Sequence, residues 1–214
     1  MGRRGWWLMI WLVSAPAWCQ EDIVDVLRRS QDTRLQALTL ADTDSARAAT
    51  VQRSFDTLLQ ALHPPPSVEL RVVRGPVVAE TLHGHIIVAS EDLAEMPESV
   101  RLFVLAHELG HVAMQHWLQT ALLYQKWIPG PVTPAHTDPV ATRLGREASA
   151  MAHGHEFAAD AFAAHLLQAL GHDDDLVGVF RQLGPTRDSA THPATRKRIA
   201  SLRALALETG RSTR

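Results

Sequence analysis

A helix-forming segment near the middle of the chain, VLAHELGHVAMQHW at residues 104–117, combines three histidines and a glutamate with mostly apolar neighbours. Residues four apart lie on one face of a helix, so His107 and His111 can direct two imidazole nitrogens at one point. Glu108 lies about 100° further around the helix, beside that point. This His-Glu-x-x-His pattern is typical of zinc hydrolases, in which the glutamate takes a proton from water. We therefore predict His107 and His111 as zinc ligands and Glu108 as the general base.

A catalytic zinc site needs three protein ligands and one open position. The segment HGHEFAADAF at residues 153–162 supplies Glu156 on an amphipathic helical stretch, with Asp160 four residues later on the same face. An aspartate there could accept a hydrogen bond from the ring nitrogen of a ligand histidine that faces away from the metal. Glu147, the nearest competitor, has Met151 at that offset. This difference favours Glu156 as the third ligand.

The elements that must position these residues follow from the apolar periodicity of the chain. The pattern predicts two amphipathic helices between Asp22 and Leu62, and three short strands in SVELRVVR, PVVAETL and HIIVAS. Further helices are predicted from about Pro97 to Lys126, at about 141–171, at 174–183 and at 193–207. We expect an α+β fold that is mainly α, in which a small sheet lies beside the zinc-motif helix.

The third histidine of the opening segment has a different expected role. On a helix that continues to Lys126, His116 would lie five residues past His111 and about 140° around the axis from it. A side chain on another face cannot share the metal. We predict that His116 packs or forms a hydrogen bond rather than binding zinc.

The start of the chain reads as an export signal. Residues 1–17 contain a short basic start, the apolar run GWWLMIWLVSA and the small residues APA, which are typical of a cleavage site. Cys19, the only cysteine, follows Trp18 rather than the small residue that precedes a lipidated cysteine, so we expect no lipid anchor. We divide the chain into a signal peptide at 1–17, a helical segment at 18–62 and a catalytic domain at 63–214.

Charge argues against a nucleic acid partner. The full chain has a formal net charge of −2, and removal of the signal with its two arginines leaves 19 basic against 23 acidic residues, a net charge of −4. Proteins that bind the phosphate backbone need a clear excess of basic residues. No stretch after residue 17 is long and apolar enough to span a membrane.

Three motifs in order resemble the zinc metallopeptidases of family M48, of the HtpX and BepA type, which are distant relatives of the CAAX prenyl endopeptidases. The motifs are HELGH with the trailing His116, HEFAAD with Glu156 and Asp160, and THPATRKRI at residues 191–199. The resemblance covers roughly residues 67–205, and the three motifs together are far more specific than any one of them.

This resemblance implies a zincin-like catalytic domain with one Zn²⁺, ligated by His107, His111 and Glu156. It places His192 near the metal, where it would either stabilise the transition state or occupy the open position until substrate arrives. Arg198 matches the family pattern without an assigned physical role. The family's usual Asn-Ala pair is missing from VVAETLHGHIIV, although the strand Gly84 to Val88, along which an extended peptide substrate would bind, looks retained.

Two functions compete at this stage. The first is a periplasmic or secreted zinc endopeptidase that acts in envelope protein quality control. The second is a non-proteolytic, chaperone-like binding protein that keeps zinc for structure. Glu108 favours the first, because a structural zinc site closes its fourth position and has no use for a base.

Overall fold

The fold is mainly helical with one small mixed sheet, which confirms the predicted fold class. A computed structural model describes residues 21–172 and 176–212 of the chain. The predicted signal peptide and Cys19 lie outside these residues. In chain order the elements are α1 (Ile23–Gln36), β1 (Thr39–Leu40), α2 (Ala46–Gln60), β2 (Glu69–Arg74), β3 (Ala79–Leu82), β4 (Ile86–Ser90), a 3₁₀ turn (Glu91–Glu95), α3 (Glu98–Ala113), α4 (His116–Trp127), α5 (Pro134–Thr137), α6 (Ala141–Ala169), α7 (Leu176–Leu183) and α8 (Thr195–Ser212).

The sheet has the strand order β1-β2-β4-β3, in which β2 and β4 are parallel and the other pairs are antiparallel. Its three longer strands are the three that the sequence predicts, whereas β1 lies between the two predicted N-terminal helices and carried no strand signal. Strand β4 is fully buried because side chains on both of its faces meet apolar neighbours. Ile87 and Ala89 join the main core, and Ile86 and Val88 face a second cluster.

Helix α3 is the centre of the main core. Its apolar residues cover most of its circumference, and Leu105 and Leu109 have no exposed surface. Helix α2 packs on it through Phe55 and Leu58, and α6 contributes Leu167. A helix that is apolar on nearly all sides must be buried on nearly all sides. The zinc-motif residues on α3 are therefore held on a rigid element inside the protein.

The prediction of one continuous helix from Pro97 to Lys126 is wrong, because α3 ends at Ala113 and α4 begins at His116. Gln115 adopts the left-handed region with φ 55°, which interrupts the helix between Ala113 and His116. Neither glycine nor proline marks this break, so the sequence pattern runs through it. The turn brings His116 back toward the end of α3.

Among the described residues, no helix combines the length and the apolar character needed to cross a bilayer.

Candidate metal centre and active site

Helices α3 and α6 cross closely at one glycine. A Cβ at Gly110 would lie 3.1 Å from the Cα of Ala159 and 3.2 Å from the Cβ of Phe162, which is tighter than ordinary packing, so glycine favours this close approach. The contact lies next to His107 and His111 on α3 and between Glu156 and Asp160 on α6. The small residue within HELGH therefore sets the distance at which side chains from the two helices meet.

Three of the predicted site residues converge at this crossing. His107, His111 and Glu156 each offer one ligand atom, and these atoms lie within 4.8 Å of one another. The Nε2 atoms of His107 and His111 are 3.1 Å apart, and they lie 3.6 and 3.4 Å from the two carboxylate oxygens of Glu156. Zinc with bonds of about 2.0–2.1 Å in a tetrahedral site separates its ligand atoms by about 3.3–3.4 Å. The spacing of the three side chains fits a tetrahedral cation.

A buried carboxylate oxygen adds to this fit. Glu156 is 5% exposed, and within the described part of the chain its Oε2 has no hydrogen-bond partner. The groups nearest to this oxygen are Nε2 of His107 at 3.6 Å and Nη1 of Arg198 at 3.4 Å. Buried polar atoms in folded proteins are nearly always paired by hydrogen bonds, so an oxygen with only these ionic contacts indicates a ligand site.

Asp160 ties the site to the rest of the fold. Its side chain has no exposed surface, and Oδ1 lies 2.9 Å from Nδ1 of His107, the ring nitrogen that faces away from the cluster. Arg198 on α8 donates to both carboxylate oxygens of Asp160, from Nε at 2.7 Å and from Nη2 at 2.5 Å. Its Nη1 also lies 3.4 Å from Oε2 of Glu156. Arg198, which had no role in the sequence analysis, thus orients both carboxylates.

The electrostatics of the cluster follow from these contacts. Burial alone would raise the pKa of Glu156, but the imidazoles of His107 and His111 outweigh it and hold that pKa well below its usual range. Burial opposes the charged form of His107, yet hydrogen bonding to Asp160 and Glu156 raises its pKa to about 10. The Glu156 carboxylate is therefore ionised at neutral pH and ready to accept a cation.

His111 is oriented by a neutral imidazole instead of a carboxylate. Its Nδ1 lies 2.9 Å from Nδ1 of His116, whose ring stacks on His155 with centroids 3.9 Å apart and planes within 8°. His155 is held in turn by Gln119, 3.1 Å from Nε2. Burial, followed by the nearby His111 and His155, lowers the pKa of His116 to about 3. The sequence predicted a packing or hydrogen-bonding His116 but not this partner, because the turn at Gln115 was not visible.

Glu108 lies beside the cluster and is fixed by the sheet. Thr81 on β3 donates from Oγ1 to Oε2 of Glu108 at 2.6 Å, and Glu108 is 8% exposed. Thr81 was missed, since a single threonine in a short strand carries no signal for such a contact. The pair links the predicted base directly to the strand that borders the cleft.

His192 lies at the rim of the same site. It precedes α8, its Nε2 is 3.8 Å from Oε1 of Glu156, and its side chain is 61% exposed. The hydroxyl of Thr191 contacts Nδ1 at 2.8 Å. His192 is therefore near enough to act at the cluster, and it faces solvent.

The three predicted ligands, Glu108 and His192 open into one cleft of about 600 Å³, whose walls include residues of α1, β3, α3, α4 and α6. Residues 45–128 match the model of peptidase family M48. The matched segment runs from the start of α2 to the end of α4 and includes His107, Glu108 and His111. It covers less than half of the chain and supports a metallopeptidase function. No curated protein matched this sequence.

The sheet pairing bears on where a peptide could bind. The sequence analysis placed the substrate along Gly84 to Val88, but β4 is hydrogen-bonded to β2 on one side and to β3 on the other. A strand that is paired on both sides has no backbone groups left for a substrate. The edge of the sheet that faces the cleft is β3.

Proposed function

We propose that the protein is an exported zinc-dependent endopeptidase that hydrolyses peptide bonds with Glu108 as general base. The observation that carries the proposal is the spacing of the three ligand atoms on α3 and α6, which suits a tetrahedral cation with one position open to the cleft. The match of residues 45–128 to peptidase family M48 supports the same chemistry.

His107 and His111 would bind the metal through Nε2, and Glu156 would bind it through its carboxylate. When bound, zinc supplies Lewis acid chemistry that acidifies water and polarises a carbonyl. Asp160 accepts the Nδ1 proton of His107, which keeps Nε2 free for the metal. Arg198 holds Asp160 in that position.

Glu108 takes a proton from the attacking water and returns it to the nitrogen of the leaving amine. Thr81 fixes the carboxylate through its hydrogen bond to Oε2 and so restricts the direction of proton transfer. His192 has two candidate roles at the rim. It either donates from Nε2 to the developing negative charge on the carbonyl oxygen, or covers the site until substrate enters.

An extended substrate would add to the edge of β3. Val78 accepts a hydrogen bond from the amide of Ser90 in β4, and pairing alternates along antiparallel strands. The backbone groups of Ala79 and Thr81 therefore point away from β4 and toward the cleft. Strand addition to these two residues would align a peptide beside Glu108.

Export is proposed from the signal-like pattern of residues 1–17, and envelope protein quality control from the resemblance to the HtpX and BepA type. An endopeptidase of this kind would degrade unfolded chains outside the cytoplasm. Release of the mature protein into the periplasm or medium, tested by fractionation, would support this part.

The decisive test is Glu108→Gln. General base catalysis contributes about 10²–10⁴-fold, so the variant should lose that much of its casein cleavage while keeping one bound zinc per chain. Glu98→Gln, an exposed change at the start of the same helix, is the matched control and should cleave like wild type. A Glu108→Gln variant that still digests casein would refute the proposal. Zinc-loaded wild type that binds unfolded casein without cutting it would favour the chaperone-like alternative.

A further inference from the structure

Helix α1 runs across the edge of the sheet that borders the cleft. At its start Ile23 packs with Leu123 and Ile128 in the helical part of the protein. At its end Leu35 packs on the cluster around Leu82, on the sheet face turned away from α3. A helix anchored on both sides of the cleft must cross β3 between its two anchors.

Polar contacts fix the crossing point at the carboxyl end of β3. Oε1 of Gln31 accepts a hydrogen bond from the backbone amide of His83 at 2.6 Å. Nε of Arg34 donates a hydrogen bond to Oε1 of Glu80 at 2.9 Å. Between the anchors, Leu27 and Gln31 line the cleft itself. The helix therefore lies where a peptide continuing along β3 past Thr81 would have to pass.

The turn between β3 and β4 closes the same end from the other wall. Gly84 has a φ of 72°, and a Cβ there would lie 3.0 Å from the Cβ of Trp117 on α4. The ring of His83 meets the Trp117 ring edge-on, with centroids 6.4 Å apart. The turn thus packs directly against Trp117 of α4 at this end of the cleft.

The predicted base lies close to this closed end. The part of the β3 edge that lines the cleft runs from Val78 to Thr81, which is roughly 13 Å at about 3.3 Å per residue. Glu108 is hydrogen-bonded to Thr81, which is the residue of this stretch nearest to the point where α1 crosses the strand. A peptide bond placed beside Glu108 would have only a few residues of chain on the closed side.

We propose that α1 and the His83–His85 turn close one end of the cleft, so that the enzyme cleaves polypeptides within a few residues of one chain terminus. This inference rests on the proposed peptidase function and narrows the proposed endopeptidase from general cleavage to internal bonds that lie close to a free, extended chain end. The interior of a long or tethered polypeptide would reach Glu108 only if α1 moved away from the end of β3.

The test uses zinc-loaded protein and one flexible peptide in four forms: both ends free, a folded domain fused to the amino end, one fused to the carboxyl end, and folded domains at both ends. Mass spectrometry locates the cuts. We expect cleavage near one terminus of the free peptide, and at least a tenfold lower kcat/KM when that terminus is fused. Equal cleavage of the free and doubly fused forms would overturn the inference. Failure to cut any form would refute the peptidase function itself.

A second arm assigns the closure to α1. Gln31→Ala with Arg34→Ala removes both contacts to the end of β3 and should raise kcat/KM on the doubly fused peptide at least tenfold. Arg28→Ala, which removes an exposed pair with Asp25 on the same helix, is the matched control and should change nothing. A double variant with the preference of wild type would show that α1 does not close the cleft, and would overturn the proposal.

Discussion

Replacing Asp160 by asparagine would test how the site is held together. The asparagine keeps the shape of the side chain but removes the charge that three donor groups share. His107 Nδ1 and the Nε and Nη2 atoms of Arg198 all lie within 2.9 Å of the carboxylate, which has no exposed surface. In the variant, the largely buried Arg198 guanidinium loses one of its two carboxylate partners. Nδ1 of His107 loses the charged acceptor that fixes the tautomer of the ring.

The magnitude follows from the burial. Removing one partner of a buried ion pair costs about 3–5 kcal/mol. The side chain of Arg198 is 16% exposed and retains Glu156 at 3.4 Å, so the lower end of that range applies. In a chain of this size about 3 kcal/mol lowers the melting temperature by roughly 6–12 °C. Loss of the hydrogen bond that orients a ligand histidine weakens metal binding about 10–100-fold.

Thermal unfolding by circular dichroism and zinc competition with a chelating dye measure both effects. Asp42→Asn is the control, because Asp42 pairs with Arg74 at 3.1 Å on an exposed surface, where the loss is below about 1 kcal/mol. Asp160→Asn combined with Arg198→Met removes both charges and should destabilise less than Asp160→Asn alone. If Asp160→Asn binds zinc within about threefold of wild type, Asp160 does not position His107.

Three further changes test the turn, the crossing and the buried imidazole. Burial, with His111 and His155, lowers the pKa of His116 to about 3, so metal-free wild type loses stability as pH falls below 6.5. In urea titrations, the free energy of unfolding of His116→Phe should therefore rise by about 2 kcal/mol relative to that of wild type when the pH is lowered from 7 to 5. A difference between the two proteins that is the same at both pH values would contradict this expectation. Gly110→Ala should lower the free energy of unfolding by about 1–3 kcal/mol, because the added methyl group pushes α3 away from α6. Gly145→Ala is the control, since Gly145 has open space around it, and it should stabilise α6 by about 0.5–1 kcal/mol. Gln115→Gly relieves the left-handed φ of 55° and should raise the unfolding free energy by about 0.5–1 kcal/mol; a loss would show that the Gln115 side chain stabilises the turn.

The placement of residues relative to one another within one helix could be predicted from local periodicity. His107 and His111 lie one turn apart on α3, and Glu156 and Asp160 lie one turn apart on α6, so each pair was fixed by spacing within a single helix. That both pairs meet depends on the crossing at Gly110, for which the ordered motifs gave only indirect support. The fold class and the three longer strands follow from the same kind of local pattern.

What the sequence did not provide concerns relations between distant segments and, at one position, a single backbone angle. Strands β2 to β4 were found, but their order was not, so the peptide was assigned to a strand that is paired on both sides. The break at Gln115 depends on one backbone angle that no glycine or proline announces. Arg198 lies 38 residues after Asp160, and only the docking of α8 on α6 brings its guanidinium to the carboxylate. Such contacts are set by packing, which a single sequence does not encode as a pattern.

The charges at the crossing of α3 and α6 explain why these distant contacts belong to the site. Glu108, Glu156 and Asp160 are each at most 8% exposed, and together they carry three negative charges beside the single positive charge of Arg198. Buried charge of one sign is costly unless it is balanced. A proton on His107, whose pKa is raised to about 10 by Asp160 and Glu156 against the effect of burial, balances one of the two remaining charges. A divalent cation would balance both and displace that proton, because a metal ligand must be deprotonated. Arg198 and His107 therefore let the protein assemble a strongly acidic site before the metal binds, and the residual negative charge favours a divalent cation.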